Sequence, residues 1–236
     1  MAGRTLLQHA VPVTFGLEAA GWLAALATVA GRLTELRDTR LAVQLGGAAG
    51  TLASYGDAGL ELVTRYAAEV GLAAPELPWH TDRTRIGELA GALGTAAGAI
   101  GKVARDVTLH AQTEVGEVAE AEPGGSSAMP HKRNPVAAVS AAASAAQAPG
   151  LVATLLTAMV QEHQRAAGAW HAEWRPLREL LATTGSAAAW LGQSLAGLTV
   201  DEDALAANLA RTGDLTGDAG LAGILVDRAV DRWGAT

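Results

Sequence analysis

Apolar residues recur at steps of three and four over two long stretches of the chain. Trp22, Leu26, Val29, Leu33 and Leu36 mark the first, while Arg32, Glu35 and Arg37 fall off the stripe. Ile86, Leu89, Leu93, Ala96, Ile100, Val103 and Val107 mark the second. This spacing places each set on one helical face and predicts long helices packed in near-parallel fashion. No period-two alternation competes, so no sheet of more than two short strands is expected. A third stretch, between Arg133 and Glu162, carries no charge. Long helices are therefore expected over 15–45, 82–118 and 135–165. Pro135 suits the first turn of a helix, where its missing N–H costs nothing. Pro149, with Gly150 directly after it, should bend or divide the third helix. Pro and Gly mark loops at 74–78 and 122–130. Residues 212–220 hold three Gly and two Asp and read as a linker before a short closing helix, Leu221–Trp233. The fold class is all-α, a long-helix bundle.

Composition sharpens this picture. Half of the 236 residues are apolar, yet aromatic residues make up 4% and Phe occurs once, so the core must be built from Ala, Leu and Val. That palette favours closely packed helices over a β-sandwich. With no cysteine there is no disulfide framework and no thiolate chemistry, which fits a cytoplasmic protein. A net charge of −7 argues against nucleic acid as a partner, because phosphate binding needs a basic face. Residues 5–30 have the look of a signal peptide, but Gln8, His9 and Glu18 interrupt them. The uncharged third stretch is long enough to cross a bilayer. It is mostly Ala, however, with Ser140, Ser144, Gln147 and Pro149 inside. A helix without a charged face is also what the centre of a multi-helix bundle requires. The expectation is no membrane, and self-association through this stretch.

The segment Gly124-Gly125-Ser126-Ser127-Ala128-Met129-Pro130-His131-Lys132-Arg133-Asn134-Pro135 carries the most chemistry. Two glycines free the backbone and two hydroxyls follow at once. Such a loop can wrap an anion with backbone N–H groups, a hydroxyl, an ammonium and an amide. The plain alternative is a helix connector with capping serines. A nucleotide-phosphate loop fits poorly, since no Gly-Lys-Ser/Thr is present.

GSSAMPHKRNP resembles the signature loop of the fumarase/aspartase superfamily, GSSxMPxKxNP, at every fixed position. Gly3 to Gly16 (GRTLLQHAVPVTFG) is similar to that family's GRTHxQxAxPxTxG, and Gln44 to Thr51 (QLGGAAGT) to its GGxxGT turn. The resemblance implies that Ser126 is the catalytic proton-transfer residue beside a substrate carboxylate. It implies that Thr5, Gln8, Ser127, Met129, Lys132 and Asn134 bind a small polycarboxylate substrate. It also implies a homotetramer with no cofactor and no metal. A desolvated site rich in N–H donors with a nearby Lys is what would lower a serine's pKa far enough.

Two departures separate the branches of that family. Leu6 stands where fumarases and adenylosuccinate lyases have His, and Val139 where they have Glu, a pair that hydrogen-bonds in those enzymes. Losing one partner would leave a buried group unsatisfied, whereas losing both leaves an apolar contact. A lactonising enzyme can do without the pair, since its nucleophile is a carboxylate already on the substrate. Residues 78–86, 102–117 and 161–174 also resemble the carboxymuconate cycloisomerase branch. The implied reaction is closure of carboxymuconate to a lactone in aromatic-acid breakdown. An adenylosuccinate lyase-like enzyme and a helical assembly fragment without turnover are the alternatives. Relative to the family, the chain is expected to comprise a central bundle domain, 1–211, and a remnant of a C-terminal domain, 212–236, with the family's first segment missing in front.

Other residues read more plainly. His110 continues the second stripe and is expected in the core. His131 is expected to be structural or to face solvent, and His9 lies near the cleft by resemblance. Trp170 and Trp174 read as one helix face, and Arg83 and Arg85 as solvated or helix-starting charges. Glu114 and Glu117 read as surface acids. His163, His171 and Glu173 match no standard zinc spacing.

Overall fold

A computed structural model describes residues 1–213 and 217–234; residues 214–216 of the expected linker lie outside the described residues. The chain begins with a hairpin, β1 (Ala2–Thr5) and β2 (Gln8–Pro12), and enters α1 (Phe15–Thr39). A short 3₁₀ helix (Ala53–Ala58) leads into α2 (Gly59–Val70) and then α3 (Thr84–His110). A short strand β3 (Val118–Ala119), the signature loop, α4 (Val136–Ala145) and α5 (Ala148–Thr157) follow. The long α6 (Ala169–Leu195), β4 (Thr199–Val200), α7 (Glu202–Ala210) and α8 (Ala222–Trp233) complete it. Among the described residues the sheets are two antiparallel pairs, β1–β2 and β3–β4. The all-α class therefore holds.

Two compact units divide these elements. One comprises residues 1–28, 97–146 and 185–236, the other 29–96 and 147–184. In the first, Ile100, Val103 and Val107 of α3 are buried, as are Ala137, Ala138 and Ala141 of α4. Gly101 of α3 faces Ala145, where an added Cβ would come within 3.2 Å of the alanine methyl. In the second, Leu93 of α3, Leu155 of α5 and Leu180 of α6 are buried, and Val43, Val63 and Ala67 form a satellite cluster. There Gly87 and Gly94 approach Met159 and Val152 so closely that a Cβ would sit 2.5 and 2.8 Å from them. Glycines two turns apart on one face, with alanines beside them, let helices this poor in large side chains still close-pack.

The helices are shorter than their patterns predict. α3 ends at His110, and the chain then turns through Gly116, at φ 63°, into β3. α1 stops at Thr39, and Ala42 pairs instead with Ala73. The uncharged stretch splits in front of Pro149, which sits in the first turn of α5. Val136–Thr157 is long and apolar enough to cross a membrane, yet only 28% of its most apolar window is buried. Ala137, Ala138, Ala141, Ala145 and Ala148 are buried, while Val136, Val139, Leu156 and the following Val160 remain exposed.

Candidate active site

The signature loop closes on itself. Gly124 and Asn134 exchange backbone hydrogen bonds at 2.9 Å in both directions, and Asn134 Nδ2 donates to Gly124 O at 3.0 Å. A Cβ at position 124 would lie 2.2 Å from Val136 Cγ2, so any side chain there would force Val136 to move. Within the loop, the Met129 N–H donates to Ser126 Oγ at 3.2 Å and the Lys132 N–H to Met129 O at 3.0 Å. Ser126 is half-buried, whereas Ser127, Met129 and Lys132 are exposed. The Ser126 oxygen thus already accepts one backbone N–H, an arrangement that favours its anion. The Lys132 ammonium has no ion-pair partner among the described residues and is available to a carboxylate. Asn134 has committed one amide N–H to holding the loop shut.

The loop stands on a buried carboxylate. Glu120, one residue past β3, accepts from the N–H groups of Ala137 (3.2 Å) and Ala138 (2.8 Å) and from Ser194 Oγ (2.7 Å). One side chain thereby ties the entry of the loop to the helix at its exit. The carboxylate also meets the positive end of α4, whose N-cap, Pro135, offers no side-chain acceptor.

Glu117 corrects an expectation. Read as a surface acid, it is 0% exposed. Its two oxygens accept from Arg4 Nη1 (2.9 Å) and Nη2 (2.7 Å), Asn208 Nδ2 (2.9 Å) and His110 Nδ1 (2.7 Å). His110 is buried as expected, but within a charged chain, since its Nε2 lies 3.1 Å from Glu18 Oε2. Burial alone would raise the Glu117 carboxyl, but bonds from Arg4, Asn208 and His110 outweigh it and hold it below the ordinary range. Burial would likewise lower His110, and the Glu18 and Glu117 carboxylates overcome this and raise it. For Glu18 burial is again opposed, by His110 and Lys102, and the net shift is downward.

The hairpin carries two of the expected substrate groups. Thr5 and Gln8 pair directly across it, both exposed. Thr5 lines a cavity of about 660 Å³ together with Arg4, Glu18, Lys102, Asp106 and His110. Gln8 and the signature-loop residues are not part of that lining. No hydrogen bond joins Thr5 or Gln8 to Ser126, Ser127, Met129, Lys132 or Asn134 among the described residues. The apolar contact expected between Leu6 and Val139 is not made within the chain, because Leu6 is 97% exposed. His9 bonds Thr212 Oγ1 at 2.9 Å.

The Gly-rich turn belongs to the other compact unit. Gly47 O accepts from Arg165 Nη2 at 2.9 Å, and the Arg165 guanidinium lies over the Trp170 ring. Trp170 packs edge-on against Trp174, matching the shared face read from their spacing. Arg83 is the second correction. Its guanidinium and the Glu173 carboxylate form a fork-to-fork pair at 2.8 and 2.5 Å, both side chains 5% exposed. Arg83 does stand directly before α3, as read, but its charge is paired and buried rather than solvated. Burial, then Arg165 and Arg83, push His80 down, keeping it neutral.

The family model described as Lyase matches residues 1–150. The chain is 52% identical over 215 residues to a 3-carboxy-cis,cis-muconate cycloisomerase of Pseudomonas aeruginosa, covering 90% of this chain and 47% of that protein. It is also 52% identical over 228 residues to a nitrosuccinate lyase of Streptomyces davaonensis, covering 92% and 47%. Among solved structures, the 3-carboxy-cis,cis-muconate lactonizing enzyme of Pseudomonas putida superposes with a TM-score of 0.83 at 40% identity, covering 99% of this chain and 55% of that one. The chain spans about half the length of the curated relatives it matches.

Proposed function

The chain belongs to the Lyase family, and from that membership we propose that it carries the core of a cycloisomerase that closes 3-carboxy-cis,cis-muconate to 4-carboxymuconolactone. In this reading a substrate carboxylate oxygen adds to the neighbouring carbon–carbon double bond. The electron pair moves onto the carbon next to another carboxylate, giving its enolate. Ser126 delivers a proton to that carbon, while Lys132 and the loop N–H groups offset the enolate's charge. Ser127, Met129, Asn134, Thr5 and Gln8 shape the site for a small polycarboxylate.

The observation that carries the reading is the clasped loop, which presents a half-buried Ser126 hydroxyl bonded by a backbone N–H and, in the same eleven residues, a Lys132 with no ion-pair partner among the described residues. Leu6 supports it too. That turn carries no imidazole of the kind that fumarases and adenylosuccinate lyases set beside a separate leaving group. A second reading, elimination from a substituted succinate, is favoured by the equal identity to the nitrosuccinate lyase. Assay of the protein with carboxymuconate and with nitrosuccinate separates the two. Lactone formation without nitrite release is expected; nitrite release alone would reverse the order.

The same reading makes the protein a cytoplasmic homotetramer. Val136 and Val139 on α4, and Leu156 and Val160 on and just after α5, are exposed apolar residues that further copies would cover. Sedimentation at micromolar concentration should give a tetramer, and a monomer would contradict it.

A further inference from the structure

The turn joining β1 to β2 is made of Leu6 and Leu7, both at positive φ, 50° and 62°. Two-residue hairpin loops with positive φ at both positions are normally built from Asn and Gly, because a Cβ is strained there. A γ-branched residue gains nothing from that conformation, and here packing does not compensate, since Leu6 and Leu7 are 97% and 69% exposed. An isolated two-stranded hairpin is itself marginal in water. Something outside the hairpin must hold the strained turn.

The strongest tether reaches it through Arg4, the residue before Thr5. Its guanidinium meets the fully buried Glu117 carboxylate with two parallel hydrogen bonds, across 113 residues of sequence. Asn208 of α7 and His110 of α3 fix the same carboxylate from other sides. The second side-chain tether, His9 to Thr212, is exposed. We propose that Glu117 is a positioning residue: through Arg4 it holds the strained Leu6–Leu7 turn so that Thr5 and Gln8 are presented side by side. The role of those two residues rests on the cycloisomerase reading; the tether does not. Glu117 touches no reacting atom in this scheme and acts only through Arg4.

Amide hydrogen exchange tests the tether without needing turnover, so its failure is distinct from failure of the functional reading. In Glu117→Gln, exchange across residues 4–13 should speed up by about tenfold or more, while residues 86–100 of α3 stay within about twofold of wild type. Leu7→Gly, which relieves the strain, should slow hairpin exchange several-fold in the wild-type background and restore much of the order lost in Glu117→Gln. If Glu117→Gln does not fold, Arg4→Gln removes the same tether from its partly exposed end and is read in the same way. Unchanged hairpin exchange, an equal rise in the hairpin and α3, or no rescue by Leu7→Gly would each overturn the proposal.

Discussion

Two adjoining segments, 117–120 and 124–134, carry opposite kinds of information. The signature loop is largely exposed, held by a few hydrogen bonds, and stocked with groups that can act on a ligand. The short segment before it is buried, and its two carboxylates are fully engaged in holding neighbouring elements, Glu117 the hairpin and Glu120 the N-terminus of α4. Reactivity and anchoring are thus separated by only a few residues. Substitutions in the two segments should divide between stability and turnover.

The largest effect on stability is expected from Glu117→Ala, which leaves Arg4 and His110 facing a vacated buried site. Removing one partner of a buried ion pair costs about 3–5 kcal/mol, and urea unfolding should register a loss of that size. Glu120→Ala should cost about 1–3 kcal/mol by orphaning two N–H groups of α4 and the Ser194 hydroxyl. If either value stays within about 0.5 kcal/mol of wild type, the segment is not an anchor.

The segment should also respond to pH in a way the loop does not. Glu117 and Glu18 are held below the ordinary carboxylate range, so their contribution is present above that range and lost as pH falls through the lowered values. His110 is raised above its ordinary 6.5, so its contribution is present below 6.5 and lost as pH rises through the raised value. Stability measured against pH should fall away on both sides, and Glu117→Gln should flatten the acidic side. An unchanged profile in that variant would remove Glu117 from the network.

Much of the fold was legible because helical periodicity is local. The stripe on α3 is buried over most of its length and that on α1 at Trp22 and Leu36, and the break before Pro149 follows from the ring's missing donor. α6 was foreseen only at its start, where Trp170 and Trp174 share a face; Pro176 inside it hid its full length. The loop was legible because its residues form one contiguous string. The anchors were not, since burial of a carboxylate depends on donors distant in sequence: Arg4 and Asn208 for Glu117, Arg83 for Glu173. One hint was available for Glu120. A helix opened by Pro135 has no side-chain cap of its own, so its free N–H groups must find an acceptor elsewhere.

Smaller effects should come from the loop. Lys132→Ala should leave the urea midpoint unchanged and raise KM as well as lower kcat, because a carboxylate-binding cation helps ground and transition states alike. Leu6→His should not produce a hydratase or lyase, since position 139 lacks the carboxylate that would orient the imidazole. Release of a separate leaving group by that variant would contradict the account of the pair.

The most direct measurement compares carboxymuconate turnover and urea midpoint in wild type and Ser126→Ala. The account predicts lactone formation by wild type, a fall in kcat of about a hundredfold or more in the variant, and an unfolding free energy within about 0.5 kcal/mol of wild type. A variant that turns over at the wild-type rate, or that loses activity only together with its fold, would contradict the assignment of the chemistry to Ser126 and of the support to its buried neighbours.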